Sequence, residues 1–369
     1  MIKDKCFAIE WLESFKKKKE HKTIQTNILE KMIYALHLLE RLEHNGLEFV
    51  FKGGTSLILL LDEGNRFSID IDIICKTKRK DIETILDKVI ENSNFTSVIL
   101  DDKRSYKSGV PKAHYAFSFE SVFNTKMAGK ILLDILLEDS IYPEHIDSEI
   151  KTKWIETESQ TLVKTPSIDS ITGDKLTAFA PNTVGIPYYK GKESFTMEIC
   201  KQLFDLSRLF EKISDIEIVA NSFFVHADQE ISFRKDENNK TKLTRAMVLK
   251  DTIDTCYIIS KREANKEDPA KSNFKLLQSG IRAFGTGYLM AGNFRIDEAV
   301  LASSRIAYLA AKLLVGDMNP ISYYNGEEIK SLIIDDPEWN SLNKLKKQPD
   351  KSAYFYWYKT VQLLSNSKV

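Results

Sequence analysis

At 369 residues the chain is longer than the usual single domain, so two compact domains are expected, each with a core of its own. Lysine plus arginine and aspartate plus glutamate each number 53, which excludes a global field drawing the protein to nucleic acid or to an anionic membrane and makes any polyanion contact local. Four scattered cysteines (Cys6, Cys75, Cys200, Cys256) lack zinc-site spacing and disulfide-scaffold density, and no apolar run suits a leader or a membrane span, so a soluble cytoplasmic protein is expected.

In chain order, Ile24, Ile28, Met32, Leu36, Leu39 and Leu42 form a helical stripe over residues 23–45 that stops at Gly46. Residues 47–52 read as a short strand running into the tight turn Gly53-Gly54, and a helix follows with Thr55 or Ser56 able to cap it. A second strand is expected over 67–75, a helix over 79–92, and further strands over 97–100, 114–119 and 130–137. From Gly173 onward the pattern is helical, over 174–179, 193–213, 242–261, 274–290, 296–315 and 352–364. The polar run 233–242 has no apolar periodicity and marks a connection, so the domains are drawn loosely as 1–215, mixed α/β, and 216–369, a helical bundle.

Alternation along the second strand puts Ser68, Asp70 and Asp72 on one face and Phe67, Ile69, Ile71 and Ile73 on the other. Two neighbouring carboxylates repel unless neutralised, and a divalent cation with oxygen ligands, Mg²⁺ or Mn²⁺, is the usual agent; an edge strand with one wet face is the plainer alternative. Upstream, the backbone N–H groups of Gly53, Gly54, Thr55 and Ser56 at a helix start suit phosphate. Asp134 interrupts an Ile/Leu run, where a central strand tolerates a carboxylate only if paired or metal-bound; Glu138 is a weaker candidate nearer the strand end. The six histidines never form a close ligand cluster and read as surface or core residues. Lys16 to Lys19 read as a solvated face, with an RNA backbone as the alternative beside Trp11 and Phe15, and Gly285 and Gly287 as permitting close helix packing.

Phe51-Lys52-Gly53-Gly54-Thr55-Ser56-Leu57 followed by Arg66-Phe67-Ser68-Ile69-Asp70-Ile71-Asp72 resembles the first two motifs of the AbiEii/AbiGii toxin family of nucleotidyltransferases. Asp134 falls at that family's third acidic position, and Asp174-Lys175-Leu176 resembles its short fourth motif, in which an acid and a lysine open a helix. The late Arg-Asp-x-x-Asp-Leu pattern is met in part: Lys201 stands for the arginine, Gln202 replaces the first acid and Asp205 matches the second.

The resemblance spans about residues 27–210 and implies a nucleotidyltransferase fold with a mixed sheet flanked by helices. It also implies an NTP substrate and a role as the toxin of a toxin–antitoxin or phage-defence (abortive-infection) pair, with a cognate antitoxin. On that reading Asp70, Asp72 and Asp134 bind metal, and Gly53, Gly54, Thr55, Ser56 and Ser68 cradle the triphosphate. Lys175 neutralises β and γ oxygens, Arg66 contacts phosphate or braces Asp72, and Asp205 pairs with Lys175 or binds acceptor. The acceptor hydroxyl belongs to tRNA or a protein. Kinase-like γ-phosphoryl transfer, small-molecule nucleotidylation and a non-catalytic binding module are the alternatives.

Overall fold

The computed structural model describes residues 1–17, 24–61, 66–105, 111–124, 126–234, 242–263, 269–290 and 292–367. Lys18, Lys19 and His21, and most of the polar run 233–242 expected to mark the domain connection, lie outside the described residues. Two compact units emerge, one of 1–167 with 288–292, the other of 168–287 with 293–369.

In the first unit the chain order is α1 (Ile9–Ser14), α2 (Thr26–His44), β1 (Val50–Lys52), α3 (Gly53–Leu60), β2 (Ile71–Ile74), α4 (Arg79–Glu91), β3 (Phe95–Leu100), α5 (Asp102–Ser105), β4 (Lys112–Phe119), β5 (Gly129–Leu136), β6 (His145–Glu149) and β7 (Leu162–Pro166). The seven strands form one mixed sheet in the order β3-β4-β5-β2-β1-β7-β6, with β5/β2 and β1/β7 parallel and the other pairs antiparallel. Register aligns Phe51, Ile73, Ile135 and Ala113 across β1, β2, β5 and β4 in one row, and all four are buried. Helix α2 contributes Met32, Leu36, Leu39 and Leu42 to the same core, each at 0 % exposure, so its expected stripe is the face that packs.

Two expectations for this unit change. The second strand is shorter than 67–75: β2 begins at Ile71, and the segment before it is extended but bonds elsewhere, with Phe67 N–H donating to the Tyr288 carbonyl at 2.8 Å and Arg66 bridging Leu289. A distant stretch of chain thus takes the hydrogen bonds that a longer β2 would have offered to the sheet. Strands β6 and β7 also had no expected counterpart; their half-exposed, charged residues carry little apolar alternation, and they are held by pairing with each other and by β1.

The second unit holds α6 (Ile168–Ala178), the two-residue strands β8 (Tyr189–Lys190) and β9 (Glu193–Ser194), α7 (Thr196–Phe210), α8 (Ile216–Arg234), α9 (Arg245–Lys261), α10 (Pro269–Gly287), α11 (Ile296–Val315) and α12 (Ser352–Ser367). Helix α11 matches its expected span and stops at Gly316, whose φ of +73° supplies the left-handed turn of a C-terminal cap. Helix α6 starts at Ile168, six residues before the expected 174, and Gly173 lies within it where a Cβ would overlap the Val219 carbonyl and the Phe223 amide of α8. A glycine that reads locally as a helix breaker is here the contact point of two helices. By contacts, α6 and α7 group with the helical unit, so the compact units part at 167/168 whereas the sequence reading divides the chain at 215/216. Gly285 also serves packing, since its Cβ would sit 2.8 Å from the Phe294 carbonyl, but Gly287 faces open space.

Candidate functional site

On the sheet face opposite the buried row, register places Lys52 opposite Asp72, Asp72 opposite Asp134, and Asp134 opposite His114. Cross-strand partners share a face, so these four side chains form one polar row across β1, β2, β5 and β4. The next row on that face returns to apolar residues: Val50 and Ile74 pack with Tyr142. Asp72 is half-buried, and the Asp134 and His114 side chains keep 24 % and 12 % of their exposure, so the row is reachable from solvent along one side. His114 Nδ1 lies 2.6 Å from Asp134 Oδ1. The His114 imidazole is thus a partner of Asp134 within the sheet.

Asp70 stands one residue before β2 and is exposed, two positions from Asp72 along the same extended segment. Its carbonyl accepts from Thr55 Oγ1 at 2.5 Å, which fastens the Asp-x-Asp segment to the start of α3. Thr55 Oγ1 also reaches Ser68 Oγ at 2.8 Å, and Ser56 Oγ donates to the Gly53 carbonyl at 2.9 Å. Both residues are at 0 % exposure. The expected capping role therefore passes to no side chain: Lys52 is the N-cap, without a side-chain cap bond, because the Thr55 hydroxyl is turned toward Ser68 and Asp70, tying the two motifs together, and the Ser56 hydroxyl folds back onto the Gly53 carbonyl. What α3 presents outward is its first-turn backbone N–H groups, which have no partner within the helix.

Gly53 has φ of +78°, and a Cβ there would overlap the Asp72 carboxylate; at Gly54 a Cβ would overlap the Arg66 guanidinium. Both glycines are required by close approach, and together they bring the α3 N-terminus against the acidic row. Arg66 is 8 % exposed and donates from Nη1 to the Phe67 carbonyl at 3.1 Å, so it braces the loop from within. Gly53→Ala is expected to cost about 1–2 kcal/mol from the left-handed backbone alone, with further loss from displacing Asp72, read as a lowered urea midpoint at unchanged slope.

In the second unit, Lys175 Nζ donates to Asp205 Oδ2 at 2.7 Å and to Gln202 Oε1 at 3.1 Å. Of the two roles open to Asp205, pairing with Lys175 is the one observed, and both residues are buried, at 5 % and 2 % exposure. Lys175 lies in the last turn of α6, not at a helix start as expected, because the helix begins at Ile168 with Asp169 accepting from the Ser214 and Asp215 amides. Glu138 is half-buried and lies beyond the end of β5. His114 was not singled out by its sequence context; only register places it beside Asp134.

The donor set in the first unit is a pair of register-matched carboxylates, Asp72 and Asp134, with Asp70 two residues along, and carboxylate oxygen suits a hard divalent cation. Among the described residues no three Asp, Glu, His or Cys groups converge as a closed metal cage. The set therefore fits a cation that takes one or two protein carboxylates and completes its shell with phosphate oxygens and water, the usual habit of Mg²⁺. All four cysteines are buried and free, and among the described residues no helix is long and apolar enough to cross a membrane.

A family model described as the nucleotidyl transferase AbiEii toxin of a type IV toxin–antitoxin system matches residues 37–282, two thirds of the chain and inclusive of every motif above. No curated protein matches the sequence. Similar solved structures include a protein of H. pylori described as a nucleotidyltransferase, at 18 % identity and TM-score 0.34 over 68 % of this chain and 95 % of that one. They also include the nucleotidyltransferase toxin MenT4 of Mycobacterium tuberculosis H37Rv, at 11 % identity and TM-score 0.47 over 94 % and 96 %. The chain belongs to the AbiEii family of nucleotidyl transferase toxins of type IV toxin–antitoxin systems.

Proposed function

We propose that this nucleotidyltransferase moves a nucleoside monophosphate from an NTP to an acceptor hydroxyl, with tRNA the first acceptor to test and protein the second. It would act in the cytoplasm, where both substrates are, as a toxin countered by a cognate antitoxin. The observation that carries the reading is the row Lys52, Asp72, Asp134 and His114 lying beside the Gly53-Gly54 helix start. Asp70, Asp72 and Asp134 would between them offer one or two carboxylates to each Mg²⁺ or Mn²⁺, which when bound neutralises the triphosphate and lowers the barrier to in-line displacement.

The chain's own part is positioning and proton handling. First-turn N–H groups at Gly53 and Gly54 receive triphosphate oxygens, and Lys52, opposite Asp72, adds positive charge at the same end of the sheet. Thr55, Ser68 and Arg66 act one step back, by holding loop and strand in register, and Ser56 by fixing the Gly53 turn. The acceptor oxygen attacks the α-phosphorus, the bond to the bridging oxygen breaks, and pyrophosphate leaves. The acceptor proton passes toward Asp134, whose other oxygen is fixed by His114. Lys175 and Asp205 tie α6 to α7 within the helical unit, and neutralising the β and γ oxygens is the catalytic role to test for Lys175.

His114→Ala is expected to lower transfer about 10–100-fold, the range for losing a group that orients a metal-binding side chain. His114→Asn, which keeps a hydrogen-bonding group on the ring's near side, should restore part of it; equal activity in all three proteins rules out an orienting role.

The deciding experiment incubates wild type and Asp70→Ala with Mg²⁺, total tRNA and α- or γ-labelled forms of each NTP. Asp70-dependent transfer of α label to RNA or protein is the expected result and identifies base and acceptor. Transfer of γ label alone would establish the kinase-like reaction, and no Asp70-dependent transfer would favour a binding module.

A further inference from the structure

The helical unit contains a cavity of about 410 Å³ that none of the motifs accounts for, formed where α10 meets the segment leading into α11. Its lining includes Gln278, Ile281, Arg282, Asn293, Arg295 and Ile296. Gly285 belongs to the lining, at the point where the Phe294 carbonyl approaches α10 too closely for a Cβ. The volume falls in the range of small-ligand sites, about 300–1,000 Å³.

Charge is distributed one-sidedly. Two guanidiniums, Arg282 and Arg295, line the cavity, and among the described residues no carboxylate does. Neither guanidinium has an ion-pair or hydrogen-bond partner among the described residues. The nearest acids in sequence are committed elsewhere: Asp297 pairs with Arg262 at 2.6 Å, and Glu298 accepts from the Arg295 backbone N–H at 2.9 Å. Arginine's planar fork matches phosphate oxygens in pairs, and carboxamides such as Gln278 and Asn293 offer the donor–acceptor couple that a base edge requires. Ile281 is buried and Ile296 half-buried, giving apolar walls for the faces of a planar ring. Inorganic phosphate would engage the arginines and leave both the walls and the carboxamides unused.

We propose that this cavity is a second binding site, for a phosphate-bearing nucleotide unit, distinct in its residues from the Asp-x-Asp site and independent of divalent metal. The unit arrives either as a free nucleoside monophosphate or as part of an RNA strand; the chemistry recognised is the same.

Binding is measured on the full chain in EDTA with two probes, the four nucleoside monophosphates and a 5′-phosphorylated twelve-nucleotide RNA of mixed sequence, by calorimetry and by photocrosslinking with peptide mapping. The expected result is saturable binding with crosslinks in 278–296, weakened about tenfold or more for each of Arg282→Gln and Arg295→Gln. Should RNA bind, its salt dependence should become shallower by about one unit per arginine removed. Monophosphate binding at an affinity equal to that of RNA assigns the site to free nucleotide, and RNA binding alone assigns it to a strand. Absence of saturable binding by both probes, or binding unaltered in the Arg282→Gln/Arg295→Gln protein, overturns the proposal. Both arginines are exposed, so the substitutions should leave thermal unfolding unchanged, and because the readout needs no metal and no turnover it stands apart from the transfer assay.

Discussion

Asp72→Asn is expected to reduce nucleotidyl transfer about 10³-fold, equivalent to about 4 kcal/mol of transition-state stabilisation, while leaving the protein folded. Asp72 lies at the centre of the polar row, opposite Lys52 on one side and Asp134 on the other, and packs against Gly53 where the α3 helix begins. Asparagine keeps the shape and removes the charge, so the sheet and the glycine contact persist. In the metal-free chain the change should be neutral or mildly stabilising, because it relieves repulsion between the adjacent Asp72 and Asp134 carboxylates. With added Mg²⁺ or Mn²⁺ the order reverses: wild type should gain thermal stability by binding linkage and the variant should not. Thermal unfolding with and without metal, alongside initial rates, checks both halves. Activity within tenfold of wild type, or an undiminished metal-induced shift, would remove Asp72 from the site.

The second large effect concerns the buried pair in the helical unit. Lys175→Ala leaves the Asp205 carboxylate at 2 % exposure without its 2.7 Å partner and deprives Gln202 of a donor, so a loss of about 3–5 kcal/mol is expected. Asp205→Ala should cost a similar amount by stranding the lysine. Lys175→Met combined with Asp205→Leu removes both charges at similar volume and should recover most of the loss, since a buried ion pair seldom outperforms apolar packing. Urea midpoints at constant slope measure these differences. The double variant then separates two meanings of a lysine in the fourth motif: full transfer activity makes the pair structural, and a stable but inactive protein gives the ammonium a role in the reaction. A loss below about 1 kcal/mol in Lys175→Ala would contradict the burial on which the argument rests.

The candidate site was legible in the sequence where its chemistry is local. Gly53-Gly54 needs a turn that only glycine allows, Asp70-x-Asp72 carries its own alternation, and Asp134 stands out because it interrupts an apolar strand. Boundaries and roles that depend on partners from elsewhere were not legible. Phe67 read as the first residue of a strand over 67–75, yet its segment bonds to Tyr288 and Leu289, more than two hundred residues away. Lys175 read as opening a helix through the resemblance of Asp174-Lys175-Leu176 to the family's fourth motif, but the helix begins at Ile168 and Gly173 is inside it, at the crossing of α6 with α8. Thr55 and Ser56 read as caps, but the Thr55 hydroxyl instead ties two motifs together and the Ser56 hydroxyl bonds back to the Gly53 carbonyl.

The amino-acid sequence by itself determined the mixed α/β first half and the helical second half, and offered Gly53, Gly54, Asp70 and Asp72 as one candidate constellation, because period-2 and period-3.6 patterning and the needs of charge and turn are written in neighbouring residues; Asp134 joined that candidate set through the family resemblance. Only the tertiary structure decided that His114 stands beside Asp134, that Lys175 is consumed by Asp205, and that Arg282 and Arg295 share a cavity. Each of those facts rests on strand register or helix crossing, which bring together residues between 13 and 30 positions apart. Such pairings are set by the packing of whole elements, so no local pattern in the chain records them.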